Sequence, residues 1–194
     1  MKEFESLLRI ADRLLGPGGC PWDQEQTLFT LEPYLLEETH ELIEAIDQQN
    51  GAKIAEELGD VLYALIFIAK LAEKEKKFTL TDAIRDVSDK LIRRHPHVFG
   101  EKKFETTEDI VKNWEAVKKS EGKKSPIEGI PPTLPALARA QKVIHKLKKI
   151  DPKVTALPSE TDIGHRIWAL VQEAEKAGVD AESELRRVCK KYEV

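Results

Sequence analysis

Residues Leu35–Ala69 read LLEETHELIEAIDQQNGAKIAEELGDVLYALIFIA, and this stretch decides the fold. Apolar residues recur at intervals of three and four on both sides of Asn50-Gly51, the spacing of two amphipathic helices joined by a tight turn. Acidic residues share those helices in unusual number. With about 100° per residue, Leu31, Leu35, Leu42, Ala45 and Ile46 fall within about 80° of Glu38, and Glu41 lies beside Tyr34 on the same face. In the second helix Ile54, Val61, Ala64 and Ile68 fall within about 60° of Glu57, with Asp60 about 60° to the other side. Both acidic pairs are therefore expected to face inward.

Magnitudes give that placement its meaning. Like charges at these spacings on an open surface cost only about 0.2–0.5 kcal/mol each. Carboxylates turned toward an interior cost several kcal/mol each unless paired or bound to a metal. Neither helix carries enough Lys or Arg on those arcs, and an all-oxygen ligand set selects a hard divalent ion, Mg2+ or Mn2+. A rival site is Glu37-Glu38-Thr39-His40, which holds the ExxH spacing of di-iron bundles. That architecture needs a second ExxH, no other histidine follows a glutamate by three, and His40 points about 200° away from Glu38.

Working outward, helical spacing dominates the 194 residues and no alternating strand pattern stands out. The fold class expected is all-α, a helical bundle. Helices are predicted over Glu3–Leu15, Leu28–Gln49, Ala52–Lys76, Leu80–Arg94, Thr107–Ser120, Leu134–Lys149, Thr161–Lys176 and Ala181–Lys191. Thr residues in TLT (79–81) and TT (106–107) stand where N-caps are wanted. GPGGCPWD (16–23) reads as a Gly/Pro loop, with Trp22 as an anchor packed on the core. The segment EGKKSPIEGIPPTLP (121–135) holds four prolines and reads as a linker. The expected organisation is a domain over 1–122, a linker over 123–135 and a helical tail over 136–194.

The tail echoes the domain. EELGDVLYALIFIAKLAEKE (56–75) and TDIGHRIWALVQEAEKAG (161–178) share an L/I-G-x-x-L/I-x-A-L frame, and TDAIRDVSDK (81–90) aligns with ESELRRVCKK (182–191). Asp162 and His165 stand in the tail where Glu57 and Asp60 stand in the domain. The tail is read as a decayed second copy without a metal site.

Bulk properties exclude several classes. Charged residues make up 34% of the chain but nearly balance, leaving a net charge of -4, which argues against a general nucleic-acid binder. Two distant cysteines suggest no disulfide framework. The apolar run Val61–Ala69 is far short of the roughly 20 residues a membrane span needs. The N-terminal segment carries acids within its apolar pattern and reads as a helix, not a signal peptide. A soluble cytoplasmic protein is expected. The same apolar run leaves few polar sides to face water, which favours a bundle shared between two chains, a homodimer.

Five blocks, GGCPWDQEQT, YLLEETHELIEAI, EELGDVLY, KLIRRHPHVFG and NWEAVKKSEGK, together resemble the MazG family of nucleoside triphosphate pyrophosphohydrolases. The family's EExxE and ExxD signature is matched by Glu37, Glu38, Glu41, Glu57 and Asp60. The resemblance implies an all-α, usually dimeric enzyme that cleaves a nucleoside triphosphate to monophosphate and pyrophosphate with Mg2+. Glu38, Glu41, Glu57 and Asp60 would hold the ion, with Glu37 or one of the ligands taking a proton from water. Lys53, Lys90, Arg93 and Arg94 are expected to meet phosphates, and Trp114 with Lys118 the nucleotide. His95 and His97, beside Pro96, are read as structural. Two other readings stay open on sequence alone: a non-catalytic nucleotide- or metal-binding dimerisation module that retains the acidic cluster, and a bare helical scaffold.

Overall fold

A computed structural model describes residues 1–121, 127–148 and 162–192. The described residues are all-α: α1 (Lys2–Leu15), α2 (Pro21–Glu25), α3 (Glu32–Asp47), α4 (Gly51–Lys74), α5 (Leu80–Arg94), α6 (Pro96–Phe99), α7 (Thr107–Ser120), α8 (Ala136–Lys148), α9 (Ile163–Ala177) and α10 (Ala181–Lys190). They group into two units, Met1–Lys103 and Phe104–Val194. Part of the expected linker, residues 123–126, lies outside the described residues.

In the first unit α3 and α4 form an antiparallel hairpin across which most of the packing runs. Its turn is tight, with Gln49 in the left-handed region at φ 54°. The tight turn falls where it is expected, and Asn50 closes it as the N-cap of α4, its side chain accepting from Lys53 N at 3.2 Å. Gly51 is then the first residue of α4. Leu28–Leu31, expected in the helix, form a turn in which Thr27 and Thr30 exchange hydrogen bonds before α3 starts at Glu32-Pro33. Side-chain oxygens there take backbone donors that a helix would otherwise use.

The core gathers Leu31, Phe67 and Leu71, lined by Leu15, Leu28, Tyr63 and Ile68. Each large apolar side chain buried here contributes roughly 1.5–3 kcal/mol. The helix α1 seats on α4 through this core and through the Lys70–Asp12 ion pair at 2.8 Å. The start of α5 is fixed by a capping box between Thr79 and Asp82 and by Leu80 N donating to Glu73 Oε1 at 3.0 Å.

The second unit packs α8, α9 and α10 together around Ile144 and Val171. Gln141 is its polar hub. Its Nε2 donates to Val179 O at 2.7 Å and Glu175 Oε2 at 3.2 Å, and its Oε1 accepts from Ala181 N at 2.9 Å. Gly178, left-handed at φ 69°, ends α9 where a side chain would be strained.

Candidate active site on the α3–α4 hairpin

The hairpin turn sets which residues oppose each other. Glu41 on α3 meets Glu57 on α4, and Glu38 feels the charge of Asp60 most among its neighbours. One carboxylate oxygen from each of Glu38, Glu41 and Glu57 lies within 4.8 Å of the other two. Such crowding costs free energy, and the carboxyls register it. Glu38 is held above the usual carboxylate range, first by burial and then by the charges of Asp60, Glu41, Glu57 and Glu37. Glu41 is also raised, chiefly by the charge of Glu57.

Burial corrects one expectation. Of the four carboxylates expected to face inward, Glu57 alone is buried, at 1% exposure. Glu38 is half-buried, and Glu41 and Asp60 are exposed. Periodicity places all four on apolar arcs but does not say how far along a helix an arc is covered: apart from Glu57, the residues that α4 buries, Ile66, Phe67, Ala69, Leu71 and Ala72, all lie beyond the acidic motif.

Lys53 stands one turn before Glu57, as its spacing predicts. Its Nζ lies 2.6 Å from Glu57 Oε1 and 3.3 Å from Glu56 Oε2. These contacts, Glu57 first, hold the ammonium well above the usual lysine range. The approach does not have the angles of a directed hydrogen bond, and Glu57 Oε1 is buried without one. The oxygen is thus opposed by charge but not satisfied in direction. Beside it opens a depression of about 190 Å3 lined by Glu41, Glu44, Ala45, Gln48, Lys53 and Glu57.

Glu44 and Gln48, which line the depression, are bonded to each other at 3.0 Å. Their spacing of three and seven from Glu41 was the signal that they share its face. Glu37 is exposed on α3. Lys90, Arg93 and Arg94 occupy the last turns of α5, in the same unit but on a different helix. Trp114 and Lys118 form the expected i,i+4 pair on α7, the ammonium 3.7 Å from the ring centroid, and belong to the second unit. Trp22 is not a core anchor. It is 49% exposed on the short helix α2, which Pro21 opens, and meets Tyr34 edge to face at 5.5 Å. The residue of α2 that is buried is Asp23. His95 ends α5 with Nδ1 on Leu91 O at 2.7 Å, a capping role that fits the structural reading.

The donor set fits a hard divalent ion: carboxylate oxygens only, crowded together, one buried without a directed partner. Residues 26–99, which carry all five acids and Lys53, Lys90, Arg93 and Arg94, match the MazG nucleotide pyrophosphohydrolase domain. Over 186 residues the chain is 39% identical to the nucleoside triphosphate pyrophosphohydrolase of Escherichia coli K12, covering 93% of this chain and 71% of that protein. The chain belongs to the MazG family. It is similar as well to the nucleoside triphosphate pyrophosphohydrolase/pyrophosphatase MazG of Thermotoga maritima, 38% identical over 97% of this chain and 82% of that one. It is also 44% identical over 144 residues to the uncharacterized protein YabN of Bacillus subtilis, covering 73% of this chain and 29% of that protein. A crystal structure of a mazG-related protein from Thermotoga maritima superposes with a TM-score of 0.53 at 35% identity, over 59% of this chain and 98% of that one. Among the described residues no helix is long and apolar enough to cross a membrane.

Proposed function

We propose that the chain is a metal-dependent nucleoside triphosphate pyrophosphohydrolase, converting NTP and water to NMP and pyrophosphate by attack at the α-phosphorus. The observation that carries this reading is the cluster of Glu38, Glu41 and Glu57, with Lys53 at its rim, inside the stretch that matches the MazG domain. The names of the Escherichia coli and Thermotoga maritima relatives support the reaction class.

In this reading Glu38, Glu41, Glu57 and Asp60 hold Mg2+, for which Mn2+ can substitute. The ion supplies Lewis acidity at the phosphates and acidifies water. Glu37, exposed beside Glu38, or one of the ligand carboxylates takes the proton from the attacking water. Lys53, Lys90, Arg93 and Arg94 bind the departing pyrophosphate, offsetting charge that grows as the bond to the α-phosphorus breaks. Trp114 and Lys118 contact the nucleotide, the indole offering a stacking face. The protein works in the cytoplasm as a homodimer. Leu58, Leu62 and Leu65 form an exposed stripe on α4, and α5 buries no residue, which supports a second chain covering them. Residues 1–122 are the catalytic domain, joined through the linker 123–135 to a degenerate second copy, 136–194.

The test is pyrophosphate release from a panel of standard and modified NTPs, with Mg2+ and with EDTA. Metal-dependent release lost in Glu57→Gln supports the proposal. Metal-dependent nucleotide binding without turnover would instead assign the chain to a binding module that retains the cluster.

A further inference from the structure

The buried end of the cluster already holds a cation of its own. Glu57 is a carboxylate at 1% exposure, and isolated burial of such a charge is costly enough to demand a counter-charge. Lys53 supplies one at 2.6 Å, and the geometry is poor: the oxygen it meets receives no directed hydrogen bond. Lys53 is not locked in place. Its side chain is 45% exposed, its second partner Glu56 is a surface residue, and the open depression lies next to it. The same Glu57 carboxylate belongs to the triad whose oxygens crowd within 4.8 Å. A lysine ammonium is one charge on a flexible stem, whereas three carboxylates call for at least two positive charges.

We infer that Lys53 is a resident counter-cation for Glu57, which a divalent ion displaces, and that the freed ammonium swings into the depression bounded by Glu44 and Gln48. The inference rests on the metal-dependent reading above and adds an order to it. Metal entry comes first, and it releases Lys53 from Glu57, so that the ammonium can turn to an anionic ligand. Lys53 is here a positioning residue for the metal-free site. It preserves the hairpin until metal arrives, and competes with the metal while doing so.

The experiment is calorimetric titration of Mn2+ into the metal-free protein, without nucleotide, for the natural chain and Lys53→Met, beside a crystal structure of the natural chain with Mn2+ bound. Lys53→Met should bind Mn2+ about tenfold more tightly, with a metal-free melting temperature below that of the natural chain and a larger rise on Mn2+ addition. In the Mn2+ structure the Lys53 ammonium should have left Glu57. Unchanged or weaker Mn2+ binding by Lys53→Met overturns the inference. So does an ammonium still paired with Glu57 when metal is bound, a result that needs no variant to fold. In both cases the hydrolase reading stands. If neither chain binds Mn2+, the metal-dependent reading falls and takes this inference with it.

Discussion

The same frame of residues occurs in two helices of this chain, inside one and at the start of the other. In α4 it reads Glu57-Leu58-Gly59-Asp60, and in α9 Asp162-Ile163-Gly164-His165. Six residues of helix, Gly51 to Glu56, precede Glu57, so its carboxylate has no free backbone N–H to accept from. Asp162 is the N-cap of α9. Its carboxylate accepts from His165 N at 3.2 Å and pairs with the His165 imidazole. One acid is consumed locally, and the other must find its cation elsewhere. Position relative to a helix start decides between a cap and a ligand, even where the spacing of the residues is the same.

The sharpest way to break this contrast is by exchange of charge. Glu57→Gln should lower metal-dependent pyrophosphate release by at least about a hundredfold. Asp162→Asn should leave release unchanged and lower only the melting temperature. Loss of activity in Asp162→Asn would show that the second frame still serves the chemistry.

A smaller effect concerns the cap that places the first frame. Asn50→Ala removes the acceptor for Lys53 N and should cost about 1 kcal/mol in chemical denaturation. Because this cap is uncharged, its contribution should not vary with pH. The caps Asp82, Asp162 and Asp180 differ. Each lies below the usual carboxylate range, held there first by Thr79, His165 and Ser183 respectively. A depressed carboxyl contributes stability that is fully present above its unfolded value near 3.8 and is lost as pH falls through the lower folded value. Melting temperature measured downward from pH 7 should therefore hold across the neutral range with respect to these caps and drop below pH 4. Asp162→Asn should remove part of that drop.

The smallest effect separates the two glycines. A Cβ at Gly59 would meet nothing within 4 Å in this chain, whereas at Gly164 it would stand 3.1 Å from Asp162 Oδ1. Gly59→Ala should stabilise the metal-free monomer by up to about 1 kcal/mol, and Gly164→Ala by less. If Gly59→Ala lowers dimer affinity in sedimentation, α4 faces the second chain at that turn.

Much of the fold could be read from the residues. The limits of α5 and α7 were legible because Thr79 and Thr106 cap them with side-chain oxygens. The short helices α2 and α6 were not, since five and four residues are too few to show a helical period. At the site, the union of Glu38, Glu41 and Glu57 followed from two arcs and a short turn. The exposure of Glu41 and Asp60 could not, because periodicity identifies an apolar arc without saying what covers it. Trp22 was misread for a related reason. A tryptophan in a Gly/Pro loop gives no phase from which its direction can be judged.

The turn at Gln48–Asn50 has a consequence for how such a chain can change over time. A residue added within the turn leaves the phase of both helices intact, whereas one added within α3 or α4 between Glu41 and Glu57 would rotate the two acids apart by about 100°. Single insertions in one arm would scatter the triad, whereas an added whole turn in each arm could preserve it. The helical arms between the two acidic motifs are therefore quantised lengths, open to growth in whole turns on both sides, while the turn that joins them can vary by single residues.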